Sequence, residues 1–346
     1  MRFVVVGAGA VGGVVGGRLF QHGHDVVLVA RGEHGAAIRD RGLTVASPDV
    51  RVTLPVPVVD HPGGISWRDG DAVLLAVKSQ DTADALRSLA AVAPATVPVA
   101  CAQNGVSNEP AAARRFHRVY GILVRCAASF LDPGEVVAYS APTTGILDLG
   151  RYPEGADALA EEIASAFRAS TFRSEVRPDI MRWKHAKLLL NLRNAAVAVC
   201  APGPERDELV DRARREGARV LRGAGIDAAS LRELAGGAGR LTLRPVEGRR
   251  RPGGSSWQSL ARGSGSIEAE HLNGEIVRLG RLHHVPTPVN ELLVRLAGEA
   301  ARLRRPPGDV SAAELLRLLD VGAGVRRRDG SPGGSRRRGR RSTAAE

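Results

Sequence analysis

Three polar side chains recur at helical spacing inside an otherwise apolar stretch. Lys187, Asn191 and Asn194 lie at positions i, i+4 and i+7 of a helix that the pattern predicts over residues 180–199. At about 100° per residue, this spacing puts the three side chains on one helix face, within about 60° of each other. Burying amides and an ammonium without partners is costly, so the stripe is either solvated or part of a site. Because leucines flank it, we interpret it as the wall of a wet cleft.

A glycine-rich turn stands near the start of the chain. Gly7, Gly9 and Gly12 follow the apolar run Phe3–Val6 in the pattern G-x-G-x-x-G. In a dinucleotide site, the first glycine permits a sharp turn, the second lets the backbone approach a pyrophosphate, and the third allows close helix packing. The phosphates then lie at the N-terminus of the next helix, which favours an anion. The residues predicted to bind the cofactor here are Gly7, Ala8, Gly9, Ala10, Val11 and Gly12.

The end of the second predicted strand, residues 25–30, bears on which nicotinamide cofactor is used. Enzymes that use NAD commonly place an acidic residue about 20 residues after the glycines, where it binds the ribose 2′-hydroxyl. Arg31 stands there instead, and its charge suits a 2′-phosphate, which predicts NADPH or NADP+. Glu33 lies close enough along the chain to bind a ribose hydroxyl, so the alternative stays open.

Two further polar residues follow predicted parallel strands. Lys78 comes after the strand at residues 71–77, and Asn104 comes after the strand at residues 97–102. Ligands of an open parallel sheet bind beyond the carboxyl ends of its strands, so both residues are candidates for the site. The alternatives are a solubilising lysine and an ordinary Asn-Gly turn.

The elements that must hold these residues fall into two groups. Strand and helix patterns alternate up to residue 176, with a hairpin insertion at residues 43–54, and the pattern beyond is helical. We therefore predict an α/β fold with an N-terminal Rossmann-type doubly wound sheet (residues 1–176) and a C-terminal all-helical domain (residues 177–325) for substrate binding or dimerisation. Residues 236–254 are predicted to form a mobile loop, and a serine of the Ser255-Ser256 pair is predicted to cap the next helix.

Composition narrows the class of protein. With 346 residues, of which 43% are hydrophobic, the chain can build two domains with substantial cores. Its three cysteines are scattered and form no C-x-x-C pair, and its paired histidines have no metal-ligand pattern, so we expect a reduced cytoplasmic protein without a metal site. The uncharged run at residues 3–17 is shorter than the roughly 20 residues that span a bilayer.

The net charge of +12 has an uneven distribution. Residues 326–346 contain eight arginines and two acidic residues, which account for half of that charge, in a Gly/Ser/Pro-rich context. Such an arm either binds nucleic acid or an acidic partner, or is a disordered, solvated tail. We favour the tail, because no aromatic residues alternate with the arginines to stack on bases.

Taken in chain order, these features resemble the ketopantoate reductase (2-dehydropantoate 2-reductase) family over roughly residues 1–300. The glycine turn with Arg31, then Lys78, then Asn104-Gly105 match the first three landmarks of that family. The later landmarks are the helix with Trp183, Lys187, Asn191 and Asn194, the pair Ser255-Ser256 followed after twelve residues by Glu268, and the triplet Leu272-Asn273-Gly274. The ordered set is more specific than any single member.

The resemblance implies a reaction and roles for its residues. The family reduces 2-dehydropantoate to (R)-pantoate with NADPH, in pantothenate and coenzyme A biosynthesis. By this likeness Lys187 is the general acid, with its pKa lowered by a dry cleft and by cations such as Lys184, and Glu268 positions Lys187 or a substrate hydroxyl. The remaining roles fall to Ser256, which would bind the substrate carboxylate, to Asn104, Asn191 and Asn194, which would bind the substrate, and to Lys78, which would lie near the nicotinamide.

The sequence departs from the family pattern at the substrate end. Trp257 follows the serine pair, where Met and then Asp are common, and Gln103 stands where histidine is common. Two other interpretations stay open: an NADP-dependent reductase of another 2-oxo acid or an imine, and a non-catalytic nucleotide-binding protein whose basic tail contacts nucleic acid. Relatives of this fold often pair through the helical domain, so a homodimer is a further possibility.

Overall fold

A computed structural model of the chain describes residues 1–130, 132–237, 241–249 and 253–329. Within these residues, the strands of both sheets lie before residue 174, and the elements that follow are helices. The strands are β1 (Arg2–Val6), β2 (Asp25–Val29), β3 (Leu43–Ala46), β4 (Arg51–Leu54), β5 (Val58–Val59), β6 (Asp71–Leu75), β7 (Val99–Cys101), β8 (Val119–Arg125), β9 (Ala128–Ser129), β10 (Glu135–Ala138), β11 (Gly145–Arg151) and β12 (Phe172–Arg173).

The helices divide between the two halves. Those of the first half are α1 (Ala10–Gln21), α2 (Gly32–Arg41), α3 (Thr82–Ala90), α4 (Asn108–Ala113) and α5 (Ala158–Ala169). Those of the second half are α6 (Ile180–Asn191), α7 (Arg193–Val199), α8 (Pro204–Gly223), α9 (Leu231–Gly237), α10 (Ser255–Ala261), α11 (Ala269–Leu282), α12 (Pro288–Arg302) and α13 (Ala312–Asp329).

The larger sheet confirms the predicted Rossmann-type fold. Its eight strands run in the order β12-β11-β8-β7-β6-β1-β2-β5. Six neighbouring strands lie in the order β5-β2-β1-β6-β7-β8. When these six are numbered along the chain, leaving out the hairpin strands β3 and β4, this is the 3-2-1-4-5-6 order of a doubly wound dinucleotide-binding sheet. These six strands are parallel, whereas β11 pairs antiparallel with β8. The residues that follow β1, β6, β7 and β8 therefore meet at one edge of the sheet.

The smaller sheet has four strands in the order β4-β3-β10-β9 and packs against α1. The predicted hairpin is confirmed, since β3 and β4 pair antiparallel with Leu43 opposite Leu54. Helix α1 fits between the two sheets because two of its glycines carry no side chain. A Cβ atom on Gly16 would lie 2.7 Å from Leu28 in the larger sheet, and one on Gly17 would lie 2.6 Å from Val45 in the smaller sheet.

The helical half has its own core, and one helix prediction for it is wrong. The single helix predicted over residues 180–199 is two helices, α6 and α7, which meet at Leu192. The Leu192 carbonyl accepts a hydrogen bond of 3.0 Å from Asn273 Nδ2 on α11. A carbonyl satisfied from another helix does not need an intrahelical partner, so the chain can change direction there.

Residues 241–249 return from the helical half to the N-terminal half. Their backbone extends the smaller sheet beyond β10 through hydrogen bonds from Arg244 N to Tyr139 O (2.9 Å) and from Ala141 N to Thr242 O (3.2 Å). The loop predicted over residues 236–254 contains this segment, and its residues 238–240 and 250–252 lie outside the described residues. The described part of the loop thus connects the two halves through backbone hydrogen bonds.

The last helix includes the start of the predicted arginine-rich tail. Helix α13 runs to Asp329 and packs against α8, where Arg212 and Asp320 form an ion pair of 2.5 Å. The remaining residues of that prediction, 330–346, lie outside the described residues.

Candidate active site

A cavity of about 780 Å³ opens between the carboxyl edge of the larger sheet and the helical half. It brings together ten of the residues predicted from the sequence: Gly7, Gly9, Ala10, Val11, Lys78, Asn104, Lys187, Asn191, Asn194 and Glu268. They come from the ends of β1, β6 and β7, from the start of α1, from α6 and α7, and from the residue before α11. The fold thus gathers distant parts of the chain around one space.

The glycine turn has the geometry that a dinucleotide requires. Gly7 has a φ of +99°, which L-residues with side chains rarely adopt, and a Cβ on Gly12 would lie 2.0 Å from the Gly7 carbonyl oxygen. A Cβ on Gly9 would meet nothing within 4 Å, so the backbone there faces open space. Helix α1 begins directly after Gly9 and has no acidic residue in its first turn. This helix N-terminus therefore suits a pyrophosphate.

Two predicted cofactor residues of the turn, Ala8 and Gly12, lie behind the cavity wall. The Ala8 carbonyl accepts a hydrogen bond of 2.8 Å from His34 Nε2, and His34 Nδ1 accepts one of 2.9 Å from the Gly134 amide. These bonds fix a neutral imidazole, and burial lowers the pKa of His34. His34 therefore stabilises the glycine turn by its hydrogen bond to Ala8, a role that no local pattern in the sequence indicates.

Arg31 is exposed and is not among the residues that line the cavity. It is the residue before α2, and its charge acts on Asp81, which lines the cavity. Burial raises the pKa of Asp81, and the positive charge of Arg31 partly opposes that rise. Arg31 is therefore a peripheral group that reaches the site by its charge.

Lys187 is the most perturbed cation of the cavity. Burial, together with the positive charges of Lys184 and Arg125, lowers its pKa from 10.5 to about 7. Its ammonium donates a hydrogen bond of 2.6 Å to Asn104 Oδ1 and another to the Val124 carbonyl. Lys187 can therefore gain and lose a proton near neutral pH.

The asparagines surround this lysine as the helical spacing predicts. Asn191 Nδ2 donates a hydrogen bond of 3.3 Å to the same Asn104 oxygen that Lys187 contacts. Asn194 lies one turn further along, on α7, and still lines the cavity. The interruption of the helix at Leu192 therefore leaves the polar stripe on one wall.

Glu268 contacts Lys78, and no contact joins it to Lys187. Its Oε2 atom lies 2.9 Å from Lys78 Nζ, and its Oε1 atom accepts from the Ser79 amide at 3.2 Å and the Ser79 hydroxyl at 3.3 Å. Burial opposes ionisation of Glu268, but the Lys78 charge and these hydrogen bonds outweigh it, so its pKa is lowered. The pair joins the end of β6 to the start of α11.

Lys184 lies beneath Lys187 in a buried ion pair. Its Nζ atom is 2.5 Å from Glu109 Oε1 on α4, and both side chains are almost fully buried. Lys184 also donates to the carbonyls of Gln103 (3.0 Å) and Ile122 (3.2 Å). Gln103 precedes Asn104, so the pair fixes the backbone that presents the Asn104 amide.

The serine pair is placed differently from the sequence-based expectation. Ser256 is 2% exposed and lies outside the cavity, whereas Ser255 and Gln258 line it. The residue before the first turn of α10 is Gly254, and no serine side chain caps the helix, so the predicted serine cap is wrong. The one-residue shift turns Ser255 towards the cavity and Ser256 into the core.

Several cavity residues had no prediction attached to them. Arg125, Phe130, Tyr139 and Arg262 line the same space. Of these, Arg125 carried a usable signal, because it is a polar residue at the carboxyl end of a parallel strand, like Lys78 and Asn104. The others approach through contacts that no local pattern predicts.

The described residues contain no metal-binding cluster, no membrane-spanning helix and no disulfide bond. No group of three or more His, Cys, Asp or Glu residues there is arranged to hold a metal ion. No helix among those residues has the length and apolar character needed to cross a membrane. The three cysteines, Cys101, Cys126 and Cys200, are free thiols.

Family models match both halves of the chain. The model described as ketopantoate reductase PanE/ApbA matches residues 3–154, and the model of its C-terminal region matches residues 179–301. The chain belongs to the ketopantoate reductase family. It is therefore an oxidoreductase of that family, and the resemblance drawn from the glycine turn and the polar stripe is confirmed.

Individual members of the ketopantoate reductase family align over nearly the whole chain. The 2-dehydropantoate 2-reductase of Halobacterium salinarum is 31% identical over 320 residues, which cover 87% of this chain and 99% of that protein. A PanE/ApbA family ketopantoate reductase from Ralstonia eutropha has a similar structure, with a TM-score of 0.74 and 27% identity over 88% of this chain and all of that chain.

The same fold also occurs in D-mandelate dehydrogenase. Its ternary structure with NADH and anilino(oxo)acetate has a TM-score of 0.74 and 21% identity, and it covers 88% of this chain and all of that chain. At this identity the similarity concerns the fold alone. The ketopantoate reductase fold is thus shared by enzymes named for different substrates.

Proposed function

We propose that the protein reduces 2-dehydropantoate to (R)-pantoate with NADPH, in the cytoplasm, as a step of pantothenate and coenzyme A biosynthesis. The observation that carries this proposal is Lys187, a cavity lysine with a pKa of about 7 that is held by Asn104 in a chain of the ketopantoate reductase family. Its curated relatives named 2-dehydropantoate 2-reductase support the choice of substrate.

The cofactor would bind along the glycine turn and α1, where Gly9 leaves open space. When bound, the nicotinamide supplies a hydride to the C2 carbonyl carbon of the 2-oxo acid. Negative charge then develops on the carbonyl oxygen. An ammonium group next to that oxygen stabilises the charge in the transition state.

Lys187 would provide that ammonium and then transfer one proton from Nζ to the C2 oxygen, which yields the 2-hydroxy acid and a neutral amine. A pKa near 7 suits this role, because at neutral pH the group is partly protonated and transfers its proton more readily than a lysine of ordinary pKa. Asn104 and Val124 orient the amine through their oxygens. Solvent would reprotonate the amine before the next turnover.

The other cavity residues would bind and orient. Asn191 and Asn194 offer neutral hydrogen bonds to the substrate from the same wall as Lys187. Glu268 would hold Lys78 beside the nicotinamide, since the two already form an ion pair. Ser255 is a better candidate than Ser256 for a substrate contact, because it lines the cavity.

Arg31 would favour NADPH over NADH. Its exposed guanidinium has no ion pair within the described residues, and a 2′-phosphate would supply the missing anion. Glu33, in the first turn of α2, is the competing group that would bind a ribose hydroxyl.

The direct test is consumption of NADPH, and separately of NADH, with 2-dehydropantoate. We expect rapid turnover with a preference for NADPH, and we expect Arg31→Glu to shift that preference towards NADH. Turnover of neither cofactor, together with tight NADPH binding in a direct titration, would contradict the substrate but not the cofactor. Equal use of both cofactors would contradict the role of Arg31.

A second candidate is the reduction of another 2-oxo acid by the same residues. It is favoured by the lack of an acidic residue after the serine pair and by Leu241, Leu243 and Tyr139, which line the cavity. Trp257 is not among the lining residues, so its side chain does not bear on this choice. Because D-mandelate dehydrogenase, which has the same fold, was determined with anilino(oxo)acetate, aromatic 2-oxo acids should be included among the substrates tested. A higher kcat/KM for a bulky apolar 2-oxo acid than for 2-dehydropantoate would favour this candidate.

A further inference from the structure

Arg125 ends β8 and lines the cavity next to the proposed acid. Because β8 runs parallel to β7, its carboxyl end lies at the same sheet edge as Asn104. The carbonyl of Val124, the preceding residue, accepts a hydrogen bond from Lys187 Nζ. Arg125 is therefore a partly buried cation that lines the same cavity as Lys187 and acts on it through its charge.

This cation has no counter-ion in the described parts of the chain. Among the described residues, its guanidinium makes one hydrogen bond, from Nη1 to the Leu234 carbonyl at 3.3 Å, and no ion pair. Burial is the main influence on its pKa and lowers it; the negative charge of Asp148 opposes that effect, and the positive charge of Arg173 adds to it. Asp148 is already engaged by Arg177 at 2.6 Å.

Burial without an ion pair does not by itself single out Arg125. Arg18 is 6% exposed, donates a hydrogen bond to Gln21 Oε1 and has no carboxylate partner within the described residues, whereas Arg2 and Arg177 pair with Asp71 (2.7 Å) and Asp148 (2.6 Å). Removing a guanidinium from water without a partner costs free energy that an incoming anion would recover. Arg125 differs from Arg18 in its place, because it lines the cavity in which a charged substrate would bind.

The substrate carboxylate also needs a partner that the serine pair does not supply. Ser256 is buried outside the cavity, and Ser255 offers a single neutral hydroxyl. A guanidinium presents two parallel N–H groups that match the two oxygens of a carboxylate. We propose that Arg125 binds the carboxylate of the 2-oxo acid and selects for substrates in which that carboxylate is free and ionised.

This assignment rests on the proposed function and adds a geometric reason to it. In a 2-oxo acid, the carboxylate carbon is bonded directly to the carbonyl carbon that receives the hydride. A carboxylate on Arg125 would therefore direct the neighbouring carbonyl oxygen towards Lys187, which lines the same cavity and whose amine donates to the carbonyl of the residue before Arg125. Esters and amides of the same acid lack the anion and lose this orientation.

The test compares Arg125→Gln and Arg125→Lys with the wild type and with Arg281→Gln. Arg281 is an exposed cation in the last turn of α11 that lies outside the cavity, so its removal controls for a general change of charge. For each protein, the dissociation constant of oxamate, a carboxylate-bearing mimic of a 2-oxo acid, is titrated on the NADPH-bound form. NADPH affinity is measured first, as evidence that each variant is folded.

We expect Arg125→Gln to weaken oxamate binding by roughly 10- to 100-fold, the range of a charge-assisted hydrogen-bonded pair. Arg125→Lys should restore part of the affinity. The oxamate affinity of Arg281→Gln and the NADPH affinities of all variants should match the wild type. With 2-dehydropantoate, Arg125→Gln should raise KM more than it lowers kcat and should reduce the preference for the acid over its primary amide.

Two results would overturn the assignment. One is an oxamate affinity of Arg125→Gln within threefold of the wild type, and the other is a wild type that does not bind oxamate on NADPH. The proposed function fails separately, if the wild type binds oxamate through Arg125 but does not reduce 2-dehydropantoate. The oxamate titration and the turnover assay therefore distinguish the two failures.

Discussion

As the proposed acid, Lys187 would have to satisfy two opposing demands at the residue scale. An acid has to carry its proton at the moment of reaction, yet a lysine at its ordinary pKa would release that proton slowly. Burial and the neighbouring charges of Lys184 and Arg125 lower its pKa to about 7, and the oxygens of Asn104 and Val124 keep the ammonium hydrogen-bonded. The same cations that tune the lysine would also attract an anionic substrate.

The pH dependence of kcat/KM tests this role. The acid form is the ammonium, which predominates below the pKa, so we expect kcat/KM to fall as the pH rises through about 7. Lys187→Ala should lower kcat by about 10²- to 10⁴-fold at pH 7 and leave NADPH affinity unchanged. A flat profile up to pH 9, or an alanine variant with wild-type turnover, would show that Lys187 is not the acid.

The serine pair shows what a sequence pattern leaves undecided at this scale. The spacing from the serines to Glu268 identifies the segment that approaches the site, but it does not select between Ser255 and Ser256. The choice depends on Gly254 being the residue before α10, which sets the rotation of the helix by one residue. Neighbouring residues on a helix differ by about 100° in direction, so one faces the cavity and the other the core.

At the element scale, the polar stripe was predictable and the interruption of its helix at Leu192 was not. Lys187, Asn191 and Asn194 share a face because of their spacing alone, and all three line the cavity. The end of α6 at Asn191 depends on a hydrogen bond from Asn273, which lies 81 residues further along the chain. No window of local sequence contains that information.

Elements α4 and α6 are joined across β8 by the ion pair of Glu109 and Lys184, which suggests a test of stability. Removing one partner leaves a buried charge unpaired, so Glu109→Gln and Lys184→Met should each lower the free energy of unfolding by about 3–5 kcal/mol. The double variant should lose much less than the sum of the two, because no uncompensated charge remains. Urea unfolding at pH 7 measures all three.

A matched control for that experiment is the exposed pair of Asp84 and Arg87 on α3. Both side chains are more than two thirds exposed, so Asp84→Asn should change the unfolding free energy by less than about 1 kcal/mol. If the double variant of the buried pair were as unstable as the sum of its single variants, the pair would not act as a unit.

At the scale of the whole molecule, the order of strands follows from the sequence, whereas the closure of the site does not. A βαβ start and alternating elements predict the doubly wound sheet, and the sheet edge then collects Gly7, Lys78 and Asn104. The ion pair of Lys78 and Glu268 spans 190 residues and joins the two halves. Its existence depends on how the halves pack, so the sequence indicated both residues but assigned Glu268 a different partner.

Removal of residues 330–346 is the test that belongs to this scale. The residues that line the cavity all lie at or before Glu268, so the shortened protein should keep its kcat and KM for the 2-oxo acid within about twofold. Affinity for a generic double-stranded DNA should fall in the same protein if those arginines bind phosphates. A loss of turnover on truncation would mean that this segment contributes to the reductase.

The return of residues 241–249 to the smaller sheet limits how this protein could be recombined with its relatives. A chimera made by joining residues 1–176 to the helical half of another reductase would also import a foreign counterpart of this segment. The backbone partners of Tyr139 and Ala141 would then come from one parent and the sheet edge from the other. An exchange that keeps residues 241–249 with their own N-terminal half needs two further junctions, so the two halves are not interchangeable modules even though each has its own core.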